Sequence, residues 1–456
     1  MNIITIKTEG LAHLSYLVSS RQEAAIVDPR RDIGDYLRIS REKGLRIRYI
    51  LETHRNEDLV SGAKELAEST GAEVYHGSQL DFKYGSALVD EQALPLGDLI
   101  VRAIHTPGHT FESFSFVVEE GKGPVAVFTG DTLFVGEVGR TDLAGPEHRQ
   151  ELSLSLYRSI HERLLPLGDS VMILPAHGSG SVCGHAIAER ELSTIGLEKR
   201  DNPLLSLGQE EFLRYKMNEE MERAPYFQNM ERHNLDGPPS IGSMADLRAL
   251  TPSDVARLQD DGAMVLDTRY PQEFSAAHIP GAVNILRDGV APYAGFVIPL
   301  DVRIVLVGQD AISIMQAALH LRRIGYDDIQ GYLLNSMESW IKQGRPLASM
   351  GSLTPRGLKA RMDAGEGLQL VDVREEYEAA SGIIPGARIM SLESFSQAVR
   401  GIDRQMPTVY YCGSGYRSAI AASIMISRGY DESWVLLGGL GAWKGAGFEL
   451  REPERS

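Results

Sequence analysis

Four short turns carry side chains of the types that hold metal ions. His54 and Asp58 lie four positions apart in Thr53-His54-Arg55-Asn56-Glu57-Asp58-Leu59-Val60-Ser61-Gly62. His109 sits in Thr106-Pro107-Gly108-His109-Thr110, Asp131 in Thr129-Gly130-Asp131-Thr132 and His177 in Pro175-Ala176-His177-Gly178. Imidazole nitrogens and carboxylate oxygens are the common donors to divalent transition metals. Any one of these residues also reads as a surface or capping residue of a Gly/Pro turn, but four such placements together point to one shared site. A second chemistry stands far downstream. Cys412-Gly413-Ser414-Gly415-Tyr416-Arg417-Ser418 joins the apolar run Val409 to Tyr411 to a helical pattern from Ala419 to Arg428. Backbone N–H groups at a helix N-terminus, with Arg417 close by, suit Cys412 to the anionic, nucleophilic form.

The elements that must deliver these residues follow from the hydrophobic pattern. Short β-branched or aromatic runs at Ile3–Ile6, Ser15–Val18, Ala24–Val27, Ile47–Leu51, Glu73–Tyr75, Leu99–Ile104, Phe114–Val118, Val125–Phe128 and Val171–Leu174 predict strands. Helical patterns run from Asp32 to Glu42, Ala63 to Ser69 and His148 to Leu165. His54, His109, Asp131 and His177 each come directly after one of the strands, and loops at strand ends are where sites are usually built. From about residue 200 the character changes. A charged amphipathic helix is expected from Glu210 to Glu222, as an arm closing the first domain, and Ala224-Pro225 and Gly237-Pro238-Pro239 then read as a linker.

At 456 residues the chain is too long for one core, and about two to four domains are expected. Hydrophobic residues at 43% and charged residues at 24% fit a globular protein. A net charge of −16 argues against a nucleic-acid partner, since phosphate binding needs clustered Lys and Arg. The opening MNIITIKTEG does not read as a signal peptide, and no apolar run is long enough for a membrane span. Only Cys183 and Cys412 are present, so a reducing cytoplasm is expected rather than a disulfide framework.

T-H-x-x-x-D, T-P-G-H-T, T-G-D-T-L-F and P-A-H-G, in this order, resemble the metallo-β-lactamase fold and, within it, the glyoxalase II and persulfide dioxygenase branch. The resemblance implies an αββα sandwich. It assigns His54, His109 and Asp131 to a first metal position, and Asp58, His177 and the shared Asp131 to a second. The family's first motif runs T-H-x-H-x-D-H. Here Asn56 and Leu59 replace its second and third histidines, so each position loses one imidazole. The first keeps two His and one carboxylate, the facial set of non-haem Fe(II) oxygenases. The second is left poor for a tightly held Zn²⁺. One Fe(II) per chain is therefore expected, with zinc as the alternative, and Asp58 and His177 become supporting groups. Arg140 falls on the family's substrate-side loop, where it could meet a thiol carboxylate or simply form a loop salt bridge. His105 and Cys183 read as packed residues rather than as ligand and nucleophile.

From Leu250 onward the chain repeats itself. Leu250-Thr251-Pro252 recurs as Leu353-Thr354-Pro355, Asp267-Thr268-Arg269 as Asp372-Val373-Arg374, and His278-Ile279-Pro280-Gly281-Ala282 as Ile383-Ile384-Pro385-Gly386-Ala387. Thr followed by Pro starts a helix, and each copy reads as a small parallel α/β domain. C-x-x-G-x-R-S in the second copy resembles the active loop of single-domain rhodaneses. A tyrosine-phosphatase-like loop would need one more residue between Cys412 and Arg417. In the first copy Gly308 stands at the place of Cys412 and Ser313 at that of Arg417, so that copy is expected to be inactive and to serve packing, orientation or oligomerisation.

The expected architecture is α/β throughout, with a metallo-β-lactamase domain over residues 1–245, a degenerate rhodanese over 246–349 and an active one over 350–456. The order resembles bacterial fused persulfide dioxygenase–sulfurtransferases. That implies oxidation of a low-molecular-weight thiol persulfide, of glutathione, coenzyme A or bacillithiol type, by O₂ to sulfite. Cys412 would then carry sulfane sulfur to form or use thiosulfate, and one chain holding both activities raises the local concentration of the intermediate. A homo-oligomer, dimer or tetramer, is implied as well. Two other readings stand beside this one: a dinuclear zinc thioesterase of glyoxalase II type with an appended rhodanese, and a non-enzymatic sulfur carrier or sensor.

Overall fold

A computed structural model describes the chain except for Lys122, Val182, His185, Ala186, Glu191, Glu220, Glu222, Ala245, the side chain of Ser243, and residues 396–400 and 454–456. The chain forms two compact units: Met1–Met244 with Arg322–Gly325, and Ala245–Leu321 with Tyr326–Ser456.

The first unit is built on two six-stranded sheets. One runs in the order Asn2–Thr8, His13–Ser20, Glu23–Val27, Arg46–Leu51, Glu73–His76 and Ser86–Ala87. The other runs Ser193–Thr194, Met172–Pro175, Gly123–Gly130, Phe114–Glu120, Leu99–His105 and Gln92–Leu96. Strand side chains alternate between faces. Val18, Val27 and Leu51 of the first sheet therefore meet Val101, Phe116 and Phe128 of the second in one buried core. The outer faces are apolar too. Ile26 and Ile50 pack with Tyr36 and Leu66 of the helices Gly34–Lys43 and Ala63–Thr70. Val127 and Ile173 pack with Leu156 of the helix Arg149–Arg158. The layers are helix, sheet, sheet, helix, the αββα sandwich expected. A register shift places Arg48 as an extra residue in its strand, with Ala24 paired to Ile47 and Ala25 to Tyr49. This bulge puts both Ile47 and Ile50 on the helix side, where unbroken alternation would separate them.

Some elements differ from expectation. The strands Ser86–Ala87, Gln92–Leu96 and Ser193–Thr194 are short or interrupted by Pro95 and leave little pattern. The helix starting near His148 is α-helical over Arg149–Arg158, then widens into a π turn, Ser159–Leu164. The arm helix spans Gln209–Asn218, and Glu222, its expected end, lies outside the described residues. The stretch read as a linker contains the helix Phe227–Asp236, whose buried stripe is Phe227, Met230 and Asn234. Only two of those three are apolar, so the periodic signal was weak. Asn234 nonetheless fixes the first motif: its amide donates to the carbonyls of Asn56 (2.7 Å) and Leu59 (2.8 Å) and accepts from Ser61 N–H (2.8 Å).

The second unit contains two five-stranded sheets, all parallel, with the same strand order. The first runs Ala249–Leu250, Ile329–Leu333, Ile304–Val307, Met264–Asp267 and Val283–Asn284. The second runs Gly351–Leu353, Ser433–Leu436, Thr408–Tyr411, Gln369–Asp372 and Ala387–Ile389. Thr251 and Thr354 cap their helices by accepting from the N–H of Asp254 (3.2 Å) and Gly357 (3.1 Å), with proline at the first helical position. The copies touch where Asn284 N–H donates to Ser423 Oγ (2.9 Å), on the helix Tyr416–Ser427 that follows Cys412.

Candidate metal centre and sulfur-transfer loop

The four strand ends bring His54, His109, Asp131 and His177 together, all buried. Asp131 Oδ2 lies 3.7 Å from His54 Nε2 and 3.5 Å from His109 Nε2. Gly130, at φ +53°, lets the turn before Asp131 close against Thr53, whose Oγ would stand 2.6 Å from any added Cβ. Each ring is oriented through its other nitrogen. His109 Nδ1 donates to the Arg140 carbonyl at 3.0 Å. His54 Nδ1 lies 2.8 Å from the Thr53 hydroxyl, which itself donates to Asp28 at 2.8 Å. Both rings therefore present Nε2 to the same point, the second-layer arrangement that fixes metal-binding histidines.

His177 is used differently. Its Nδ1 lies 2.7 Å from Asp131 Oδ1 and its Nε2 3.0 Å from Asp58 Oδ2. Burial opposes charge on this ring, but Asp131 and Asp58 outweigh it and hold the His177 pKa well above the ordinary value. The groups of the second position are thus bonded to one another, with the His177 ring between two carboxylates. Leu59, buried, adds no donor.

The sequence reading missed Glu57. It is 1% exposed, with Oε1 held by Arg55 Nη2 at 3.3 Å and Oε2 lying 3.7 Å from His109 Nε2. Its signal was an acidic residue between the two expected ligands, at a position the family motif leaves unspecified. His54 Nε2, His109 Nε2, Asp131 Oδ2 and Glu57 Oε2 are all buried without a hydrogen-bond partner. Four orphaned donor atoms around one point cost free energy unless a cation satisfies them, so these residues fit a metal ion. Burial and His109 push His54 down to about 4, against the pull of Asp131. Burial would raise Asp131, but His177 and His54 hold it well below the usual carboxylate range. Glu57 is likewise held down, against burial, by His109 and Arg55. A neutral imidazole beside two carboxylates favours a cation.

His13, also unforeseen, is buried with its ring edge-on to His177 at 5.6 Å between centroids. Cys183 stands beside Asp58, His177 and Asp131, and burial with those carboxylates raises its thiol pKa well above the ordinary value, keeping it protonated. His105 turns away, with Nε2 on the Phe111 carbonyl at 2.9 Å. Arg140 is buried, and its guanidinium binds Asp142 (2.7 and 2.8 Å), the loop salt bridge rather than an open anchor for a substrate carboxylate. Its contribution to the site is the backbone carbonyl on His109.

In the second unit Cys412 ends the strand Thr408–Tyr411. Gly415, at φ +107°, turns its N–H onto Cys412 Sγ at 3.1 Å. Ser418 Oγ lies 4.0 Å from the sulfur and donates to the Gly415 carbonyl. Gly413 is locked by its carbonyl accepting from Gly441 N–H at 3.0 Å. Ser414 and Tyr416 complete the loop, and the Tyr416 side chain is exposed. Arg417 forms a two-point ion pair with Glu378 (2.5 and 2.7 Å). Asp372 and Arg374 pair at 2.6 Å, and Arg374 binds the Glu378 carbonyl at 3.0 Å, so these supporting residues position Glu378. Glu378 escaped the sequence reading although Glu273 matches it in the repeat. Tyr293, from the first copy, interacts electrostatically with both Arg417 and Cys412. In the first copy a Cβ at Gly308 would meet Ile314 at 2.5 Å, so the place of the cysteine is filled as well as vacated. Ile383, where the first copy has His278, is buried packing.

A sandwich with a strand-end metal cluster, followed by two repeated parallel sheets, defines the class. The chain belongs to the metallo-beta-lactamase superfamily, matched over residues 8–177, and carries two rhodanese-like domains, matched over 251–343 and 354–446. Among relatives, hydroxyacylglutathione hydrolase GloC of Haemophilus influenzae is 30% identical over 230 residues, 45% of this chain and 99% of that one. Mitochondrial persulfide dioxygenase ETHE1 of Homo sapiens is 28% identical over 212 residues, 45% of this chain and 76% of that one. A metallo-beta-lactamase structure from Staphylococcus aureus subsp. aureus COL aligns at a TM-score of 0.66 with 28% identity, covering 73% of this chain and 98% of that one. These relatives support the glyoxalase II/persulfide dioxygenase branch. Among the described residues no helix is long and apolar enough to cross a membrane.

Proposed function

We propose that the chain is a persulfide dioxygenase with sulfurtransferase activity, acting in the cytoplasm on a low-molecular-weight thiol persulfide. The observation that carries this reading is the cluster itself: His54, His109 and Asp131 turn unpartnered buried donor atoms to one point, while His177 is hydrogen-bonded between Asp131 and Asp58. Two imidazoles and a carboxylate suit Fe(II) better than the fuller donor sets of dinuclear zinc hydrolases. His54, His109 and Asp131 would hold the iron, which when bound would supply O₂ activation. The overall reaction takes RSS⁻, O₂ and H₂O to RSH, sulfite and H⁺: the sulfane sulfur loses four electrons and O₂ gains them. The chain's own part is to exclude water with a buried cluster, fix both rings through Thr53 and the Arg140 carbonyl, and keep His177 and Asp58 as a proton-bearing pair beside Asp131.

The rhodanese loop handles the second step. Cys412 thiolate attacks the outer sulfur of a persulfide or of thiosulfate. The S–S bond breaks, and the thiolate or sulfite leaves with the electron pair. Sulfite then attacks the outer sulfur of the Cys412 persulfide, giving thiosulfate and free thiolate. The Gly415 N–H stabilises the sulfur anion in both directions. O₂ uptake with a panel of thiol persulfides, with sulfite and thiosulfate resolved as products, tests the proposal.

The similarity to GloC favours a second reading, a zinc thioesterase. It requires two metals per chain and hydrolysis of a glutathione thioester without O₂ uptake.

A further inference from the structure

The absence of a histidine at position 56 should leave the metal with three protein ligands. The structure offers a fourth. Glu57 follows Asn56 directly, its carboxylate is buried, and Oε2 has no hydrogen-bond partner. Glu57 Oε2, His54 Nε2 and His109 Nε2 all lie within 4.8 Å of one another. Asp131 Oδ2, after another strand end, faces the same two nitrogens at 3.7 and 3.5 Å. Arg55 holds the other oxygen of Glu57, which fixes the carboxylate and leaves one lone-pair face directed inward. The large majority of buried carboxylate oxygens are hydrogen-bonded. This one has a single oxygen satisfied and the other aimed at two bare ring nitrogens.

We propose that Glu57 is a metal ligand that takes the role of the imidazole missing at Asn56, making a two-His, two-carboxylate centre with His54, His109 and Asp131. The inference rests on the reading that this cluster holds a metal, and it changes that reading in one respect. Two anionic oxygens and two imidazoles balance the charge of a divalent ion within the protein. An oxygen-rich donor set also moves preference away from zinc and toward Fe(II) or Mn(II). One fewer coordination position is left for exogenous ligands than a three-residue facial set would leave.

Anaerobic titration of the metal-free full chain with Co(II), followed by its visible d–d bands, tests this without any substrate. Wild type is expected to bind one Co(II) per chain. Glu57→Gln is expected to bind more than about 100-fold more weakly, beyond the roughly 10- to 100-fold that loss of an outer partner of a ligand costs. Glu57→Asp keeps the charge, protects the fold and is expected to shift the bands. Asn56→Ala, which removes another unpartnered oxygen of the turn, should leave affinity and spectrum unchanged. Adding Asn56→His to Glu57→Ala should restore binding. Wild-type affinity and spectrum in Glu57→Gln and Glu57→Asp overturn the proposal, as does weakening by Asn56→Ala alone or a double variant as weak as Glu57→Ala. If Glu57 binds Co(II) but no persulfide drives O₂ uptake, the dioxygenase reading falls and the ligand stands. If Glu57→Gln binds normally while wild type consumes O₂, the reverse holds.

Discussion

The His177 ring lies 2.7 Å from Asp131 through Nδ1, and this contact divides the aspartate's two oxygens between different tasks. Oδ1 is paired with His177, while Oδ2 faces His54 and His109. Asp58 secures the far side of the ring at 3.0 Å. Removing one partner of a buried ion pair leaves an uncompensated charge and costs about 3–5 kcal/mol. His177→Asn is therefore expected to destabilise the metal-free chain on that scale in urea unfolding. His54→Ala, which leaves no paired carboxylate stranded in this network, is expected to cost less.

Leu59 stands where the family motif carries a metal-binding histidine. Leu59→His supplies an imidazole next to Asp58, and a metal there can replace the His177 proton as the cation between the carboxylates. Metal content is expected to rise from one to two per chain in the presence of zinc, measured by elemental analysis. A value fixed at one would show that His177 cannot be recruited.

Glu52 precedes the metal motif and is buried, with Ser61 Oγ at 2.6 Å and Tyr84 Oη at 2.9 Å. Burial raises its pKa to about 7, although both hydroxyls act in the opposite sense. Because the folded value lies above the unfolded one, the protonated form stabilises the fold. That contribution is complete below the unfolded carboxylate range, near pH 4.3, and is lost as pH rises through about 7. Glu52→Gln removes the titration. The stability difference between variant and wild type, from urea midpoints, is expected to move in favour of the variant between pH 5 and pH 8.

The sandwich and the repeated sheets were legible because their strands are short, β-branched and separated by Gly/Pro turns. His54, His109, Asp131 and His177 were legible because each follows a strand. Less visible was the use made of them. That His177 pairs with two carboxylates depends on how separate strand ends approach one another, which no local pattern encodes. Glu57 was hidden between expected ligands, and the helix Phe227–Asp236 was hidden because its key contact is Asn234, a polar residue on a buried face. Arg140 reaches the cluster through its backbone carbonyl on His109, while an aspartate two residues on claims its guanidinium.

Arg417 is held by Glu378, whose pKa lies below the usual carboxylate range because Arg417 outweighs the effect of burial. Glu378→Ala frees the guanidinium from its fixed place beside Cys412. The expected result is a fall of about tenfold in kcat/KM for thiosulfate, equivalent to about 1.4 kcal/mol of transition-state stabilisation, with the visible spectrum of the Co(II) site unchanged.

The most direct measurement is O₂ consumption by the iron-loaded full chain given a thiol persulfide, run beside Cys412→Ser with sulfite and thiosulfate quantified. One O₂ per persulfide is expected in Cys412→Ser, with sulfite accumulating, and one O₂ per two persulfides in wild type, where the second persulfide supplies the sulfur that turns sulfite into thiosulfate. Two zinc ions per chain, thioester hydrolysis and no persulfide-dependent O₂ uptake would contradict it.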